Sequence, residues 1–222
     1  LNLTTGSRHV NESFRLPRLY PILDAGLLRG AGIEIASFAR MLYQAGIRFL
    51  QYRDKDASDA EVLKRAQLIR EIFPARETTL ILNDRAHLFA ESGYDGLHVG
   101  QDDFSPGRAR EIIGAGAVLG VSTHNDAQVA RAVDEPVDYI AVGPVFGTHS
   151  KLNPDPVIGL EGVRSARMAT GKPLVAIGGI TLENCAAVID AGADSIALIS
   201  ALVPKALKCG GKVVEDFLAL IG

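Results

Sequence analysis

The sequence is poor in several features that would mark particular classes of protein. Its 222 residues include two cysteines, Cys185 and Cys209, too few for the disulfide framework of a small secreted domain. There is no basic surplus, since 23 Lys and Arg stand against 26 Asp and Glu for a net charge of −3. Proteins that hold nucleic acid normally carry clustered positive charge, so a nucleic-acid partner is not expected. No apolar stretch approaches the roughly 18 residues that span a bilayer, and the best candidate, 196–203, is interrupted by Ser200. The N-terminus lacks a charged segment followed by an apolar core, and no Cys/His cluster argues for zinc. A soluble, reduced, cytoplasmic protein with no membrane partner is therefore expected. With 47% hydrophobic residues, it is long enough to bury a full core without a metal or disulfide staple.

What is present is a regular alternation. Residues 1–17 are mostly polar and aperiodic and read as an N-terminal tail; 18–222 read as one domain. Within that domain, short runs rich in Val, Ile and Leu recur at 19–23, 49–52, 80–82, 96–99, 118–121, 139–145, 173–177 and 195–199. Amphipathic segments separate them, for example Val62, Leu63, Ala66, Ile69 and Ile72 at helical spacing. Helix starts are marked by Ser58 with Glu61, by Ser105-Pro106 and by Asn125. Continuously apolar strands separated by helices make a parallel sheet covered on its outer face. Eight such units close most simply into a single (β/α)8 barrel, a TIM barrel. A doubly wound open sheet usually has fewer strands and a glycine-rich first turn, which is absent here.

In such a barrel, the chemistry sits at the C-terminal ends of the strands. Alternation along strand 2 puts Gln51, Arg53 and Lys55 on the face opposite Leu50 and Tyr52, pointing into the mouth. Two cations there suit an anionic, phosphorylated ligand, although an Arg paired to a nearby carboxylate is the structural alternative. Strand 3 ends in Asn83-Asp84-Arg85, and strand 4 leads into Gln101-Asp102-Asp103. Asp84 is equally suited to capping the next helix; Asp103 is not needed as a cap, because Ser105 fills that role. Two carboxylates beside two cations fit Mg²⁺ whose remaining ligands are phosphate oxygens and water. Gly178-Gly179 and Ser200, at the ends of strands 7 and 8, lie where many barrels hold a phosphate.

These motifs occur in order: Gln51-Tyr52-Arg53-Asp54-Lys55, Asn83-Asp84, His98-Val99-Gly100-Gln101-Asp102-Asp103, Gly120-Val121-Ser122, Gly143-Pro144-Val145-Phe146, Ile177-Gly178-Gly179-Ile180 and Gly192-Ala193-Asp194. Together they resemble the thiamine-phosphate synthase family over about 19–203. The resemblance implies coupling of 4-amino-2-methyl-5-hydroxymethylpyrimidine diphosphate to 4-methyl-5-(2-phosphoethyl)thiazole, two small-molecule substrates, with pyrophosphate released. It implies that Gln51, Arg53, Lys55, Asn83, Ser122 and Lys151 hold the pyrimidine diphosphate and that Asp84 and Asp103 bind Mg²⁺. Thr148 and Ser150, with the backbone of Gly179, Ile199 and Ser200, would hold the thiazole phosphate. Tyr52, Asp54 and His149, within or beside the matched strings, join the substrate-binding set. Arg53, Lys55, Ser122 and Lys151 form the set implied to assist catalysis of a dissociative substitution. Ser150 departs from the Thr usual in the family, and the loop 152–158 also differs. The closest alternatives are a thiazole tautomerase on the same barrel, for which His124 would transfer protons, and a catalytically silent phosphate-binding barrel.

Overall fold

The computed structural model describes residues 15–148, 155–203 and 210–222. Eight parallel strands close into a barrel in sequence order: β1 (Leu19–Asp24), β2 (Phe49–Arg53), β3 (Thr79–Asn83), β4 (Gly96–Val99), β5 (Val118–Thr123), β6 (Tyr139–Val142), β7 (Leu174–Ile177) and β8 (Ser195–Leu198). The outer ring comprises α1 (Ala25–Gly30), α2 (Ile35–Gln44), α3 (Asp59–Ile72), α4 (Phe89–Ser92), α5 (Pro106–Ile113), α6 (Asp126–Asp134), α7 (Gly159–Ala169), α8 (Cys185–Asp190) and α9 (Gly210–Ile221). The expected caps are in place. Ser58 and Glu61 form a reciprocal capping box on α3, Ser105 caps α5 ahead of Pro106, and Asn125 caps α6.

The period-2 pattern divides the core into two shells. Tyr20, Ile22, Phe49, Ile81, Tyr139 and Val175 fill the barrel, while Leu19, Leu23, Leu50, Leu80 and Leu82 pack outward under the helices. Of the segment read as a tail, residues 1–14 lie outside the described residues, and Leu16 packs against the inner shell. Strand 6 ends three residues before the apolar run does. Pro144 has no N–H for the ladder, and Val145 and Phe146 instead donate to the carbonyls of Ile177 and Gly178. No helix among the described residues is long and apolar enough to cross a membrane.

Candidate active site

The C-terminal ends of β2, β3 and β4 meet around a cleft of about 270 Å³ lined by Asp54, Lys55, Asn83, Asp84, Arg85, His87 and Asp103. Gln51 is buried inside the barrel, where its Nε2 donates to the Tyr20 hydroxyl at 2.7 Å. Arg53 is paired with Asp24, its neighbour across the β1–β2 ladder. Asp24 also accepts from the Leu27 N–H at 2.8 Å and so caps α1. Lys55 is half-exposed, with Nζ 3.4 Å from Asp84 Oδ2.

The Tyr52 and Asp54 side chains turn away from the mouth. Both lie on the helix-facing side of the strand, where the Tyr52 hydroxyl donates to Asp54 Oδ2 at 3.1 Å and Arg65 of α3 reaches the same oxygen at 2.5 Å. Burial raises the Tyr52 phenol, and the Asp54 charge adds to the shift. Their side chains bind the strand to its helix; the alternation that turns Gln51 and Arg53 inward turns Tyr52 and Asp54 outward.

Asp84 has a left-handed backbone, with φ +63°, uncommon for any residue but glycine. It is not a cap, since the short 3₁₀ turn Ala86–Leu88 begins after Arg85 without a side-chain cap bond. Its N–H donates to the His98 carbonyl at 2.8 Å, which ties the end of β3 to β4. Asp103 is held from the other side, its Oδ2 accepting from the Gly100 N–H at 2.8 Å. Burial raises the Asp103 carboxyl, and its hydrogen bond to Asp84 and that group's charge push it the same way, against the Gly100 N–H and Lys55. Two carboxylates this close share a proton unless a cation lies between them. Among the described residues no group of three or more His, Cys, Asp or Glu has metal-binding geometry. Asp84 and Asp103 could hold a cation through two hard carboxylate oxygens with room for other ligands, a set whose chemistry suits Mg²⁺ better than calcium or zinc.

Sequence reasoning missed Arg85. Its guanidinium donates to the carbonyls of Asp54, Lys55 and Ala57 at 3.3, 3.2 and 2.8 Å and to Asp59 Oδ1 at 2.5 Å. It staples the Lys55 loop to the strand end that carries Asp84. Asp24 was missed as well, although alternation along β1 puts it on the inward face with Tyr20 and Ile22.

Ser122, near the end of β5, lies with its Oγ 2.8 Å from His98 Nε2, and Gln101 donates to its carbonyl at 2.6 Å. Asn83 ends β3 in register with His98. Across the mouth, a half-buried Thr148 follows Phe146 and Gly147, which pack on Gly179. A Cβ on Gly179 would lie 2.5 Å from the Gly147 carbonyl oxygen, so this glycine is required for close packing of the two loops. Ile199 leaves β8 with φ −112° and ψ −85° and precedes a 3₁₀ turn at Ser200–Leu202. The β6, β7 and β8 ends are thereby contiguous, opposite the carboxylate cleft. His149, Ser150 and Lys151 lie outside the described residues. His124 is engaged, with Nδ1 2.6 Å from the Gly143 carbonyl and Nε2 3.5 Å from Asp155.

A closed parallel barrel with paired carboxylates and a lysine on one side of its mouth, and packed glycine strand ends on the other, defines an anion-handling TIM-barrel enzyme. Comparison with known proteins is more specific. Residues 19–202 match the family model described as Thiamine monophosphate synthase. The chain is 50% identical over 195 residues to the thiamine-phosphate synthase of Koribacter versatilis, covering 86% of this chain and 92% of that protein. It is 41% identical over 186 residues to the enzyme of the same name from Chloroflexus aurantiacus, covering 84% and 85%. Among solved structures, it is similar to a thiamine phosphate pyrophosphorylase from Pyrococcus furiosus, with a TM-score of 0.79 and 28% identity, covering 92% and 95%. The chain belongs to the thiamine-phosphate synthase family, and its activity is that of a transferase of thiamine biosynthesis.

Proposed function

We propose that the chain joins 4-amino-2-methyl-5-hydroxymethylpyrimidine diphosphate to 4-methyl-5-(2-phosphoethyl)thiazole in a Mg²⁺-assisted dissociative substitution. The observation that carries this reading is the juxtaposition of Asp84, Asp103 and Lys55, with Lys55 Nζ 3.4 Å from Asp84 and the Asp103 carboxyl raised in part by Asp84. Asp84 and Asp103 would hold the metal, which would supply neutralisation of charge on the departing pyrophosphate. Arg53, Lys55 and Lys151 add positive charge around that leaving group, and Gln51, Asn83 and Ser122 orient the pyrimidine. The C–O bond to the diphosphate breaks with its electron pair going to pyrophosphate, leaving a pyrimidine-methyl cation. The thiazole nitrogen then donates its lone pair to form the C–N bond.

Thr148 and the backbone of Gly179, Ile199 and Ser200 hold the thiazole phosphate across the mouth, which keeps the nitrogen aligned with the cation, and the family resemblance adds Ser150 to that set. No protein nucleophile is required. Two features support this over a tautomerase: both carboxylates are present, and the His124 imidazole is occupied by the Gly143 carbonyl and Asp155.

Incubation of the protein with both substrates and Mg²⁺ tests the reading. Thiamine phosphate and pyrophosphate are expected in equal amounts. Binding of both substrates without product would instead mark a silent barrel.

A further inference from the structure

Beneath the mouth, five polar side chains from five strands meet in single file. Gln51 Nε2 of β2 donates to the Tyr20 hydroxyl of β1 at 2.7 Å, and the Tyr20 hydroxyl lies 2.8 Å from that of Tyr139 on β6. The Tyr139 hydroxyl is 2.9 Å from His98 Nδ1 on β4, and His98 Nε2 is 2.8 Å from Ser122 Oγ on β5. Tyr20, Gln51, His98 and Tyr139 are all buried. The Tyr139 ring fills space that Gly120 leaves open, since a Cβ there would lie 2.0 Å from Cζ. His98 stacks on the same ring, with centroids 5.5 Å apart and planes at 26°.

Proton counting gives this file a direction. An amide nitrogen only donates, so the Tyr20 oxygen accepts from Gln51. The buried Tyr20 proton needs an acceptor, and the Tyr139 oxygen at 2.8 Å supplies it; the proton of Tyr139 then goes to Nδ1. His98 is buried with each ring nitrogen against a neutral hydroxyl, and a neutral imidazole there carries a single N–H. With Nδ1 accepting, that N–H is on Nε2 and donates to Ser122 Oγ. The Ser122 proton then remains for whatever lies above it.

We propose that Tyr20, Tyr139 and His98 are positioning residues that transmit the hydrogen-bond polarity of the Gln51 amide across the barrel and fix the Ser122 hydroxyl as a donor to the pyrimidine diphosphate. The inference rests on the reading that Ser122 contacts that substrate. In the opposite polarity, Gln51 would present its Oε1 to Tyr20, every proton in the file would reverse, and Ser122 would donate to His98. Only lone pairs would then face the ligand. The diphosphate oxygens and the pyrimidine ring nitrogens are acceptors, and only the first polarity gives Ser122 a proton for them; the second would suit only the 4-amino group.

The direct test is the His98 tautomer in the intact protein, read by ¹⁵N NMR of histidine-labelled enzyme at neutral pH. The Nε2–H form is expected; an Nδ1–H form would overturn the relay without any variant having to fold. The functional test compares Michaelis constants in Tyr139→Phe, Ser122→Ala and the double variant, with thermal unfolding as a control for folding. Losing one hydrogen bond to an anionic ligand should raise KM for the pyrimidine diphosphate about tenfold in each single variant, with KM for the thiazole phosphate unchanged. The double variant should be no worse than Ser122→Ala, because Tyr139 acts through Ser122. Additive losses, or equal rises in both Michaelis constants, would mean that Tyr139 is only a packing residue. If Ser122→Ala leaves the pyrimidine KM unchanged, the substrate contact itself is wrong. An Nδ1–H tautomer alongside a normal Ser122→Ala effect would refute only the relay.

Discussion

The two ends of this barrel use charge in opposite ways. At the N-terminal end, one arrangement recurs three times on alternate units. Asp95 Oδ2 accepts from Arg70 at 2.5 Å and from the Leu80 N–H at 2.9 Å. Asp138 Oδ2 accepts from Arg110 at 2.7 Å and from the Leu119 N–H at 2.7 Å. Asp194 Oδ2 accepts from Arg167 at 2.8 Å and from the Leu174 N–H at 2.8 Å. Each Asp precedes an even-numbered strand and joins the start of the preceding odd-numbered strand to the helix before it. At the C-terminal end, Asp84 and Asp103 face each other, and Asp84 is held in a left-handed conformation. The lower charges stabilise the fold as it stands, whereas the upper carboxylates repel each other, offset in part by Lys55. That division matches barrels in which one face carries stability and the other carries chemistry.

Substitution should expose the contrast. The largest effect on activity is expected for Asp84→Asn and Asp103→Asn. Asn keeps the size and tolerates the left-handed backbone at 84, but it removes a carboxylate of the proposed metal site. Turnover should fall at least about a hundredfold, since a metal contributes several kcal/mol of transition-state stabilisation. Stability should move the other way. In metal-free protein, the raised Asp103 carboxyl binds its proton more tightly folded than unfolded, so its contribution is present at low pH and lost as pH rises. Asp103→Asn should therefore raise the melting temperature at pH 7 and change it little at pH 4. A lower melting temperature at pH 7 would show that the pair is not repulsive.

Next in size is Arg53→Lys, which keeps charge but loses the planar fork. A loss of about tenfold to a hundredfold in kcat/KM corresponds to one charge-assisted hydrogen bond of roughly 1.5–3 kcal/mol. Full activity would reassign Arg53 as the structural partner of Asp24. Arg85→Lys cannot span three carbonyls and Asp59 at once, so the Lys55 loop should loosen. KM for the pyrimidine diphosphate should rise about tenfold, with KM for the thiazole phosphate unchanged. Equal changes in both constants would mean that Arg85 supports the fold generally. Asp138→Ala, at the lower end, should leave kcat/KM intact while costing roughly 2 kcal/mol of stability. That corresponds to a fall of roughly 4–8 °C in melting temperature. A large loss of activity with normal stability would break the separation of the two ends.

How much of this was legible in sequence depended on whether the signal was local. The strands, the capping box at Ser58 and Glu61, and the Pro106 helix start all come from patterns within a few residues. Gln51, Arg53 and Lys55 were placed by alternation, because an inward face is fixed by the pleat. Tyr52 and Asp54 were drawn into the substrate set by motif membership alone, which does not distinguish the two faces of a strand. Asp24 and Arg85 escaped because their partners lie 29 residues away for Arg53 and up to 31 for the Asp54 carbonyl. The Tyr20–Tyr139 link joins residues 119 apart; only closure of the barrel brings them together. Asp84, suited equally to capping a helix, was resolved by its backbone, which turns the carboxylate toward Asp103.

The most direct test of the account is the dependence of thiamine phosphate formation on Mg²⁺ concentration, compared between the natural enzyme and Asp103→Asn, with folding verified for both. The account predicts that formation saturates at low Mg²⁺ in the natural enzyme and that the variant requires much more metal and reaches a lower maximum. Coincident Mg²⁺ curves and rates for the two proteins would contradict it.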